Sequence, residues 1–229
     1  MKTSRLIIAL AAIFAGGNAW ATPSDPGFDV EIVLSADLQR NLAAINNVER
    51  TFEQRFRLHR TITLTPLQSS AKFDHSKLSK VAWANETLIE DADDYGLVEL
   101  LHAMVEGNLR RAAPTGFQGK IELSLFSLSV PGHSVQALST RPSNWARGAI
   151  DVLDPLSGDV IEHHDVSVGL VPEFTLNHGY KGPGFAFIAT DAGDRIGPTL
   201  AYFVKKSLAK VLPNTADLLA GPVLVEVQR

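Results

Sequence analysis

The chain is 229 residues long, carries 25 acidic against 21 basic side chains for a net charge of −4, and contains no cysteine. That balance argues against a nucleic-acid partner or an anionic membrane surface, either of which a basic patch would announce. The missing cysteines exclude disulfides, thiolate metal ligands and a lipid-modified cysteine, so an apolar core must hold the fold.

In chain order, the first residues place Lys2 and Arg5 ahead of an apolar run over residues 6–15, followed by Ala19-Trp20-Ala21 and Thr22. This is the pattern of a secretory signal peptide, with cleavage expected after Ala21. The run is half of the ~20 apolar residues a transmembrane helix needs. No later segment is long and apolar enough to span a bilayer. The expected product is residues 22–229, a single periplasmic or secreted α+β domain with an N-terminal strand-helix extension.

After a Pro/Gly-rich arm, Val30, Ile32 and Leu34 alternate with Asp29, Glu31 and Val33, which predicts a half-buried strand. Ser35 is placed to cap a helix whose apolar stripe is Leu38, Leu42, Ile45, Val48, Phe52 and Phe56, about five turns in all. Glu49 and Glu53 lie among the arginines of this stretch, which reads as a mixed helix face and not as a phosphate track. TITLTPL, from Thr61, predicts a short strand closed by Pro66, and an edge strand is expected near residues 81–83. A second helix is expected from the acidic cluster EDADD onward, burying Leu97, Leu101, Met104, Val105 and Leu109 and stopping at Pro114.

GKIELSLFSLSV predicts a long central strand. WARGAIDVL and DVIEHHDVSVGL form a hairpin about DPLSG, where Pro155 suits the first turn position and Gly158 the left-handed one. A last helix follows, with Pro198 in its first turn and Ile196, Leu200, Phe203, Leu208 and Val211 as its apolar stripe, and GPVLVEVQR is a possible terminal strand. These elements predict an α+β fold, a two-layer sandwich in which a mostly antiparallel sheet is covered on one face by about three helices.

The most distinctive chemistry is His163-His164-Asp165. Strand alternation puts His163 and Asp165 on one side, with His164, Glu162 and Val166 on the other. Only His163 and Asp165 can share an ion there, and zinc needs a third protein ligand, for which His178, His133 and His102 are the candidates. A solvated strand end is the simpler expectation. No Gly-x-Ser-x-Gly elbow occurs, Ser157 sits on a hairpin tip, HGYKGPGF lacks the following Lys-Ser/Thr pair of a nucleotide loop, and Glu90, Asp91, Asp93 and Asp94 lack the spacing of a calcium loop. Trp83 and Trp145 are either interface anchors or core fillers.

VAWANETLIEDADDYGLVELLHAMVEGNL, IELSLFSLSV, ARGAIDVLDPLSGDVIEHHDVSV and a closing amphipathic helix together resemble a family of small bacterial envelope lipoproteins, a domain of unknown function. The pattern G-x-I-x-V-x-D-x-x-x-G-x-V, here from Gly148 to Val160, carries the likeness. The resemblance implies an envelope location, no established enzymatic activity and no functional residues to transfer. Its members begin with a lipid-modified cysteine, which Ala19-Trp20-Ala21 replaces here, so a free periplasmic state is expected.

The functional expectation is a non-catalytic exported protein, with no cofactor, that binds a protein partner or envelope component. Sheet edges and the loops PGHSVQALSTRPSNW and NHGYKGPGF would supply the surface, with Trp145, His133 and Tyr180 as partner-binding candidates. The alternative is a metal-binding or metal-dependent enzyme using His163, Asp165 and His178. A third possibility is self-assembly through an exposed sheet edge.

Overall fold

A computed structural model describes residues 28–61, 88–114, 117, 119–129, 144–169, 184–188 and 195–225. β1 (Asp29–Leu34) leads through Ser35 into α1 (Ala36–Thr61), and the Ser35 hydroxyl accepts from the Leu38 N–H, as the sequence predicts for a cap. α2 (Leu97–Ala112) is followed by β2 (Lys120–Ser129), β3 (Trp145–Leu153), β4 (Val160–Val168), β5 (Gly184–Ile188), α3 (Gly197–Val211) and β6 (Gly221–Val225).

β1 to β4 form one sheet in that order. β1 pairs with β2 in parallel and the other neighbours are antiparallel. Val30, Ile32 and Leu34 share a face with Ile121, Leu123 and Leu125, with Ala146, Gly148, Ile150 and Val152, and with Val166 and Val168. α2 covers this face over β1, α1 meets it at β2, and α3 covers it over β3 and β4. The α+β architecture expected from the sequence is therefore present, and one apolar cluster runs through the strands and all three helices.

β5 and β6 make a separate parallel pair on α3. Phe203 of α3 points to β3 at Gly148, where an added Cβ would lie 2.8 Å from the ring, while Lys205 lies over Gly221 of β6. Two residues of helix are about 200° of rotation, so the two sheets sit on opposite sides of α3. Being enclosed, α3 buries Pro198, Thr199, Leu200, Ala201, Phe203, Val204, Ser207 and Leu208.

Three expectations change. α1 has 26 residues, about seven turns, and Thr61 ends it instead of opening a strand; no Gly or Pro interrupts the stretch before that point. The remainder of TITLTPL and residues 81–83 lie outside the described residues. α2 starts at Leu97 and not in the acidic cluster, because the Asp91 carboxylate accepts from the Asp93 N–H and closes a separate 3-10 turn, Ala92–Asp94. Gly96 then supplies no cap of its own, and Asn46 of α1 accepts the Leu97 N–H at 2.9 Å.

Candidate functional site

The β3–β4 hairpin is built by its turn. Asp154 accepts from the N–H groups of Leu156 and Ser157 at 2.8 Å each, and Gly158 takes φ +74°. Those two backbone donors hold the Asp154 carboxyl below the ordinary carboxylate value. The tip leaves Leu156 97% exposed, and the start of β4 leaves Val160 58% and Ile161 63% exposed. Ile161 is the extra residue of a bulge between the Val152–Glu162 and Leu153–Val160 pairs. β4 is the last strand of its sheet, so among the described residues its outer backbone edge has no pairing strand.

Register places Glu31, Glu122, Asp151 and His163 in one row across the sheet face that the helices do not cover. Lys120 pairs with Glu31 at the β1 side of that face, and this contact holds the lysine charged to higher pH than usual. At the β4 side the His163 Nδ1–H donates to Asp151 Oδ1 at 2.5 Å, while Nε2 lies 3.9 Å from Asp165 Oδ1, beyond hydrogen-bond reach. The strand thus brings His163 and Asp165 to one side, as the alternation predicts. His164 turns to the other, half-buried beside Glu162 at 2.5 Å.

His102 lies half-buried on α2, across the sheet from His163. His178, His133 and Tyr180 lie outside the described residues, and among the described residues no group of three or more His, Cys, Asp or Glu is placed to hold a metal ion. Trp145 opens β3 opposite Ser129 and is half-buried.

A second cluster of ionisable groups escaped the sequence reading. Glu49 and Glu53 do not belong to a solvated helix face: both are fully buried against Arg195. Arg195 Nε donates to Glu49 Oε1 at 3.0 Å and Nη2 donates to Glu53 Oε2 at 2.9 Å; Glu49 Oε2 also accepts the Ile196 N–H at 3.1 Å, beside the start of α3. Burial alone would lower the Arg195 pKa, but Glu49, Tyr95 and Glu53 outweigh it, so the guanidinium is held above its ordinary value. Burial, chiefly, raises the Tyr95 phenol well above its own. Arg57 extends the network, donating to Glu53 Oε1 at 3.0 Å and to the Ile89 carbonyl at 2.6 Å.

Two carboxylates face two guanidiniums here, with Phe187 and Tyr95 rings 5.0 and 5.9 Å from the Arg195 carbon. Charges so paired and so enclosed fasten α1 to α3. The signal in the sequence was the spacing Leu38, Leu42, Ile45, Glu49, Glu53, in which carboxylates continue the apolar stripe.

No protein-family model, curated protein or solved structure matches the chain.

Proposed function

We propose that the chain is a non-catalytic, exported envelope protein that binds a protein partner along the edge strand β4 and the tip of its hairpin. The observation that carries the reading is the exposure of Leu156, Val160 and Ile161 beside a strand edge that has no pairing strand among the described residues. Apolar side chains next to free backbone donors and acceptors are what strand addition uses: the ladder gives affinity and the side chains give specificity. The leader pattern up to Ala21 supports export, and the resemblance to small envelope lipoproteins supports the compartment.

A photo-crosslinking residue in place of Ile161, in cells, should yield a discrete adduct. The same residue in place of Thr51, exposed on α1, should not. Equal labelling at both positions, or none at Ile161, overturns the reading. The metal-dependent alternative rests on His163 and Asp165 sharing one face and needs His178 or another ligand to join them. Equilibrium dialysis against zinc separates it: stoichiometric binding lost in His163→Ala would favour the metal, and absence of binding would remove it.

A further inference from the structure

The two edges of the four-stranded sheet differ in how they can meet a second strand. β1 carries Asp29 and Glu31 on its uncovered face, so bringing two copies together there moves acid toward acid. β4 is longer, nine residues, and has no Lys, Arg or Pro, the residues that usually guard an edge.

We infer that β4 pairs with β4 of a second copy of this chain, antiparallel about a two-fold axis at His164; this rests on the reading of β4 as the docking edge. His164 is the midpoint of Val160–Val168, so this register alone lets the whole strand overlap its mate. It sets His163 opposite the Asp165 of the second copy, twice over, on the uncovered face. Asp165 is free to serve: its side chain is 78% exposed and its own His163 stands 3.9 Å away. The bulge at Ile161 stays at the hairpin end and turns Val160 onto the uncovered face, so it lies outside the central pairs, which run from Glu162 to Val166. A two-fold axis at His163 would instead set Ile161 against Asp165 and leave the last two residues of the strand unpaired. Two edges are closed in one step, and the sheet becomes continuous across eight strands.

The chain has no cysteine, so a single introduced thiol reports symmetry cleanly. His164→Cys should form a disulfide-linked dimer under mild oxidation, because facing residues in such a pair have Cα atoms about 4.5–5.5 Å apart. Ser167→Cys should not, since its mate lies about six residues, roughly 20 Å, along the strands. Sedimentation should show a reversible dimer of the unmodified protein. Asp165→Lys should weaken it about tenfold, and adding His163→Asp should restore it.

A sedimentation monomer at all concentrations overturns the inference, as does cross-linking of Ser167→Cys as readily as His164→Cys, or a charge exchange that fails to rescue. An Ile161 photo-adduct of foreign mass from a monomeric protein would sink the second copy while leaving the β4 edge as the docking site. Absence of any adduct together with a monomer would remove both.

Discussion

Gly148 sits where β3 passes closest to two neighbours, and a Cβ there would strike the Ser124 carbonyl and the Phe203 ring. Gly148→Ala should cost about 3 kcal/mol, the upper end for overpacking, since one obstacle is backbone that cannot swing away; the shift of the urea midpoint measures it. Gly158 meets nothing within 4 Å, yet its φ of +74° is unfavourable for any L side chain. Gly158→Ala should therefore cost about 1–2 kcal/mol from backbone conformation alone. Asp154 acts in the same turn through its charge. Its carboxyl is depressed in the folded state, so its stabilisation is complete above the ordinary carboxylate value and is lost as pH falls through the depressed one. Unfolding followed from pH 6 downward should show a shallower acid limb in Asp154→Asn than in the parent. Gly158 was legible because turn chemistry is local, whereas the crowding at Gly148 comes from Ser124 and Phe203, which are distant in sequence, and was not.

At the scale of elements, α1 is held by polar groups as much as by apolar ones. Asn46, Glu49, Glu53 and Arg57 each meet a group from residues 89–97 or 195–196. Arg195→Ala takes from two buried carboxylates the cation they share and should destabilise by about 3 kcal/mol, whereas replacing Arg195, Glu49 and Glu53 together by apolar residues of similar volume should cost far less. Thermal unfolding of the single and combined variants decides this, and similar losses in both would mean that packing dominates the seam. The heptad-like stripe of α1 was readable as far as Ile45. Beyond it the buried positions are carboxylates, and their cation is 146 and 142 residues away, a separation across which spacing carries no information.

For the whole molecule, α3 lies enclosed between the four-stranded sheet and the β5–β6 pair. Its middle amides, from Leu200 to Leu208, should open only with global unfolding and exchange hydrogen more slowly than those of β1. Asn108 of α2 ties the second sheet to the same body: its amide accepts the Ala220 N–H at 2.6 Å and donates to the Ala220 carbonyl at 3.4 Å. If α3 exchanged as fast as β1, the β5–β6 pair would not be protecting it.

The sequence by itself determined the alternation of β1, the β3–β4 hairpin, the buried faces of α2 and α3 and the placing of His163 and Asp165 on one side of a strand. Each of these follows from a period or a turn contained within a few residues. Tertiary structure decided the parallel pairing of β1 with β2, the second sheet across α3, the burial of Glu49 and Glu53 and the choice of β4 as a sheet edge. Those outcomes depend on which distant segments meet, and a charge or a strand edge is costly or useful only once its neighbours have excluded water or left it open.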